Sequence, residues 1–130
     1  MNGQINWDNL RTAALAVRQR AWAPYSKFQV GAALSAGGNI FIGCNVENVS
    51  YPVGMCAERS AIAAMVSAGF VQPDALVVAA GPLITPCGMC RQALYEFSPT
   101  LPVLLVSADT GEQKETTLQA LLPGAFQVDP

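Results

Sequence analysis

A chain of 130 residues supplies about one domain's worth of core, and its net charge of −2 with only seven scattered Lys and Arg residues excludes a polyanion as its natural partner. Hydrophobic residues make up 52% and charged residues 12%, against a typical charged share of roughly 25%, so part of the apolar surface is expected to be buried between subunits of an oligomer. Small neutral substrates are what these numbers leave open.

In chain order, Trp7, Leu10, Ala13, Ala14, Val17 and Ala21 recur at helical spacing, with Asp8 near the start and Arg18 and Arg20 near the end. That pattern predicts an amphipathic helix with charges matched to its dipole, stopped before Pro24. Phe28–Leu34 and Ile40–Val46 flank Gly37-Gly38 and predict a β-hairpin. After the loop "ENVSYPVGM", the Ala-rich stretch Cys56–Ala68 predicts a second, largely buried helix closed by Gly69. Ala75–Ala80 ("ALVVAA") reads as a strand covered on both faces. Cys87–Phe97 predicts a third helix, Val103–Val106 another buried strand, "ADTGE" a turn and Thr117–Leu122 a short last helix. The order α-β-β-α-β-α-β-α, without repeat or linker, predicts one α/β domain over residues 1–130, a sheet between helices.

Met1-Asn2-Gly3-Gln4 carries neither a basic start nor an apolar core, so no leader is expected. The apolar runs fall far short of the roughly 20 residues a membrane span needs. A soluble cytoplasmic protein is the expectation, and in a reducing setting four cysteines point to metal or catalysis before disulfides.

Cys56 and Cys87 each stand where a loop enters a predicted helix, where unpaired N–H groups and the helix dipole favour thiolate. Cys90 shares a helical face with Cys87, so the three converge if the two helix starts lie side by side. A closed structural zinc site takes four protein ligands, whereas a catalytic one keeps a position open. Cys44, at the end of a predicted strand and without a partner cysteine at close spacing, is read as a buried small hydrophobic residue in preference to a fourth ligand. Cys87-Gly88-Met89-Cys90 also fits a redox pair, but that reading leaves Cys56-Ala57-Glu58 unexplained. Glu58, two residues from Cys56 on a helix whose other positions are nearly all apolar, is the candidate general acid and base. Zinc with three thiolates carries a formal charge of about −1, so a nearby cation should draw off the excess. Arg59 is the first candidate for that and Arg91 the second.

"CAERSA" (Cys56–Ala61) and "PCGMCRQ" (Pro86–Gln92) resemble the cytidine deaminases, in their small form with all-cysteine zinc ligands. The likeness extends to "PYSKFQVGAAL" (Pro24–Leu34), "GCNVENVSYP" (Gly43–Pro52) and "LLPGAF" (Leu121–Phe126). Zinc nucleobase deaminases carry a His-x-Glu…Pro-Cys-x-x-Cys pattern, and here Cys56 stands at the histidine position. The resemblance implies a three-layer α-β-α fold with a mixed sheet. It also implies hydrolytic deamination of cytidine and deoxycytidine in pyrimidine salvage, with one zinc held by Cys56, Cys87 and Cys90 and Glu58 as proton shuttle. Asn45 and Glu47 would bond the ribose hydroxyls, Phe28 would pack on the pyrimidine, and the Ala57 N–H would lie near the base carbonyl. Arg59, Arg91 and Gln92 would surround the ligands. A homotetramer is implied, in which Tyr51 and Phe126 reach a neighbour's site. Val49, Gly54-Met55 and Met89 depart from the usual residues, which leaves another aminopyrimidine or aminopurine nucleoside, or a nucleoside antibiotic, as the rival substrate. A non-catalytic zinc-stabilised module is the rival class.

Overall fold

The computed structural model describes residues 5–130; Met1–Gln4, on which the expectation of no leader rests, lies outside the described residues. Helix α1 (Trp7–Arg18) opens with the Asn6 side chain accepting the Asn9 N–H at 3.1 Å, and buries Leu10, Ala14 and Val17 along one stripe. β1 (Gly31–Ala36) and β2 (Asn39–Cys44) form the predicted hairpin around Gly37 and Gly38, which take the left-handed φ values +58° and +81°. Helix α2 (Ala57–Ser67) leads to β3 (Ala75–Ala80), a strand buried along its whole length. Helix α3 (Gly88–Tyr95) leads to β4 (Pro102–Ser107). The chain then turns through 108–112 into β5 (Gln113–Thr117) and the single turn α4 (Leu118–Leu121), after which residues 122–130 follow without regular structure.

The sheet order is β2-β1-β3-β4-β5, antiparallel except for the parallel β3–β4 pair. Alternation along the central strands sends Ala33, Val77, Ala79, Leu104 and Val106 to the α1 side. Leu34, Leu76, Val78, Val103 and Leu105 face the other side, against Ala61 and Met65 of α2 and Leu94 of α3. The result is the expected three-layer α-β-α arrangement with a mixed sheet. Among the described residues, no helix is long and apolar enough to cross a membrane.

Two differences from the sequence reading have physical causes. β5 was not expected: "QKETT" is polar and exposed at the sheet edge, so it shows neither alternation nor an apolar run. Phe28 does not lie in β1; Lys27 has φ +62° and turns the chain, so pairing begins only at Gly31.

Gly43 sets how closely α2 approaches the sheet. A Cβ there would fall 2.4 Å from the Ala61 nitrogen and 2.5 Å from the Ala57 oxygen, both helix backbone. Gly43→Ala should therefore push α2 outward and destabilise the protein by about 2 kcal/mol, read from a shifted denaturation midpoint at unchanged m-value.

Candidate functional site

Cys56 is the N-cap of α2 and Cys87 the N-cap of α3, both with extended backbone (ψ 157° and 166°) and neither using its side chain as a cap. The two helix starts pack side by side, so first-turn N–H groups and dipole ends point into the same space. The Cys56 and Cys87 sulfurs are 3.8 Å apart, those of Cys87 and Cys90 3.5 Å, and all three lie within 4.8 Å of one another. Tetrahedral zinc with Zn–S bonds of about 2.3 Å requires sulfurs about 3.8 Å apart, so this donor set fits zinc in number, type and spacing. Cys44 stands outside the cluster, half-buried at the end of β2 where its carbonyl accepts the Ser60 hydroxyl at 3.1 Å. It is less buried than its sequence context implied.

Electrostatics follow from this crowding. Hydrogen bonding from Cys90, then from Arg59 and Cys87, pulls the Cys56 thiol down to about 5 against the opposing effect of burial. The same contact with Cys56, together with burial, pushes Cys90 up. Without a cation, one thiolate in this space excludes the next; a bound metal would draw protons from all of them. Arg59 places Nη2 3.9 Å from the Cys56 sulfur, and its Nε is buried without a partner. Glu58 is 3% exposed, and burial, with the Cys56 charge adding to it, raises its carboxyl to about 7.

Beside the sulfurs opens a cleft of about 510 Å³, whose lining includes Asn45, Glu47, Tyr51, Cys56 and Arg59. Residues 45–47 form an extended segment bonded on both sides. Asn45 O and Glu47 N bond Trp22, while Val46 exchanges hydrogen bonds with Met55 at 2.9 Å each way. Asn45 and Glu47 thus face the same way, as expected, but both already have partners. Asn45 accepts the Val30 N–H and donates to the Phe28 carbonyl, each at 2.8 Å. Glu47 Oε1 accepts the Tyr25 and Ser26 N–H groups at 3.0 and 3.1 Å. These bonds hold Glu47 below the ordinary carboxylate range, the Ser26 hydroxyl contributing most.

The remaining expected residues are distributed around this centre. Ala57 is fully buried at the first turn of α2, and Phe28 is exposed on the loop before β1. Arg91 does not turn to the sulfurs. Its guanidinium donates to Pro86 O at 2.6 Å, Leu121 O at 2.8 Å and Thr85 Oγ1 at 2.7 Å, tying the loop before Cys87 to the last helical turn. Gln92 donates to Phe126 O at 2.9 Å, so the residues after Cys90 anchor the C-terminal segment. Phe126 and Tyr51 project outward, 78% and 75% exposed. Ser26 was missed altogether; "PYS" reads as turn chemistry, and nothing local signals a bond to a residue 21 positions away.

With this geometry in place, the comparisons are specific. Residues 6–105 match the cytidine and deoxycytidylate deaminase zinc-binding region. The chain is 49% identical to a cytidine deaminase of Sporosarcina psychrophila, over 84% of this chain and 82% of that one. It is 40% identical to a cytidine deaminase of Mycobacterium tuberculosis, over 96% and 92%. A crystal structure of cytidine deaminase from Burkholderia pseudomallei superimposes with a TM-score of 0.89 at 43% identity, covering 94% of this chain and all of that one. The protein belongs to the cytidine and deoxycytidylate deaminase family, and it is an enzyme.

Asn45→Ala would leave the Phe28 carbonyl and Val30 N–H without partners. Substrate-free protein should lose about 1–3 kcal/mol of stability, measured by chemical denaturation; no change would mean water replaces the amide at no cost.

Proposed function

We propose that this protein hydrolyses cytidine and deoxycytidine to uridine and deoxyuridine with release of ammonia, as a single catalytic domain over residues 1–130. The observation carrying this reading is the convergence of three thiols and a buried carboxyl beside a cleft of nucleoside size, in a chain 49% identical to a cytidine deaminase.

Cys56, Cys87 and Cys90 would hold one zinc ion per chain, which when bound would lower the pKa of water enough for hydroxide to be available for attack on C4 of cytosine near neutral pH. Glu58 does the proton work. Raised to about 7, its carboxyl is suited to take a proton and give it back near neutral pH. It would take the proton lost as water adds to C4 and pass it to N3, then take the proton of the new 4-hydroxyl and deliver it to the 4-amino group, so that the C4 carbonyl forms as ammonia leaves. Arg59, beside the Cys56 sulfur, offsets the charge by which three thiolates exceed zinc. Asn45 keeps one amide N–H and Glu47 one carboxylate acceptor position for sugar hydroxyls. Phe28 would pack on the base, and the Ala57 N–H would face the base carbonyl. The exposed Tyr51 and Phe126, with the low charge content, support a homotetramer in which they complete a neighbouring site. Four free cysteines suit the reducing cytoplasm, and conversion of cytidine to uridine suits a role in pyrimidine salvage.

Purified protein given a panel of nucleosides and free bases should release ammonia from cytidine and deoxycytidine, followed by loss of cytosine absorbance. Release from another aminopyrimidine or aminopurine nucleoside or a nucleoside antibiotic alone would overturn the substrate assignment. Glu58→Gln should keep its zinc by native mass spectrometry yet lose about 10²–10⁴-fold in turnover, and a near-normal rate would remove Glu58 from the mechanism. In the same spectra Cys87→Ser should lose the metal while Cys44→Ser retains it.

A further inference from the structure

The segment from Ala23 to Val30 has little regular structure, yet it is held at every turn. The Lys27 N–H closes on Ala23 O at 3.0 Å, and Lys27 itself takes φ +62°, a left-handed conformation that a residue with a side chain adopts at a cost. What opposes that cost is a pair of side chains from the neighbouring extended segment. Asn45 grips the backbone of Phe28 and Val30, and Glu47 grips that of Tyr25 and Ser26.

One side chain of the loop answers back. The Ser26 hydroxyl donates to Glu47 Oε2 and accepts the Phe28 N–H at 3.0 Å. Its donor and one acceptor position are thus used at once, on the two residues that flank the nucleoside position. An ionised carboxylate has about four acceptor positions. Two backbone N–H groups occupy Oε1 and Ser26 takes one position on Oε2, so one position on Oε2 remains. Both Ser26 and Glu47 line the cleft. A carboxylate held only through Oε1 could still pivot about its terminal torsion, which is broad and roughly two-fold. The hydroxyl removes that freedom.

Resting on the reading that Glu47 binds the sugar, we propose that Ser26 is the positioning residue of the sugar subsite: its hydroxyl fixes the Glu47 carboxylate so that the last Oε2 position meets a sugar hydroxyl, and links that oxygen to the backbone of Phe28. Sugar and base contacts are then set as one unit. Serine suits the task because alanine has neither donor nor acceptor, while the exposed position leaves room for the extra methyl of threonine.

The test compares kcat and KM for cytidine and 2′,3′-dideoxycytidine, which lacks the 2′ and 3′ hydroxyls, in wild type, Ser26→Ala and Ser26→Thr, each checked for folding and zinc content. In Ser26→Ala the KM for cytidine should rise about tenfold with little change in kcat, as for loss of a hydrogen bond to a charged group. The preference for cytidine over the dideoxy nucleoside, as a ratio of kcat/KM, should fall by a similar factor, and Ser26→Thr should restore it. An equal loss on both substrates would mark Ser26 as a merely structural latch and overturn the assignment. If Ser26→Ala does not fold, Ser26→Thr decides: a folded threonine variant with a collapsed ratio also overturns it. Wild-type protein inactive on cytidine would instead overturn the functional reading beneath it.

Discussion

Three sulfur atoms within 4.8 Å cannot all be thiolates unless positive charge is set among and around them, and much of this architecture answers that requirement. Two helices begin at the cysteines, so their N-terminal N–H groups and dipole ends point at the cluster. Arg59 brings a guanidinium to the Cys56 sulfur with its Nε buried and unpaired, a costly arrangement outside the reach of a negative site. Gly43 lets α2 lie against β2 at backbone distance, which seats Cys56 and Glu58 where α3 can meet them. The burial that raises Glu58 comes from the same packing.

The cleft divides its labour along the chain. Chemistry-bearing groups sit on helix starts, whose position is fixed by the core beneath them. Groups assigned to the nucleoside sit on the extended segment 45–47 and the loop it clamps, where side chains bond backbone and, at Ser26 and Glu47, each other. Change in the loop "ENVSYPVGM" can therefore reshape what the enzyme accepts while the cysteines stay in place.

Much of this was legible in the sequence because it rests on local signals. A Cys-x-x-Cys and a Cys-x-Glu, each opening an amphipathic helix, announce a metal-ligating cluster, and "ALVVAA" announces a buried central strand. β5 was illegible because an exposed edge strand needs no apolar pattern to pair with β4. Phe28 was placed in a strand because alternation continues through it, while the turn at Lys27 depends on clamps from residues 45 and 47 that no short window contains. Arg91 was read as a charge for the sulfurs by its neighbour Cys90, yet its planar fork matches three oxygens on the loop and C-terminal segment.

The parallel β3–β4 pair carries one more consequence. Cys56 lies on the connection from β2 to β3 and Cys87 on that from β3 to β4, 31 positions later. A metal bound as proposed would join two successive crossovers of the sheet, acting as a reversible cross-link that closes a long loop. The fold's resistance to unfolding would then be set partly by the free metal concentration around it, through mass action, rather than by the chain alone.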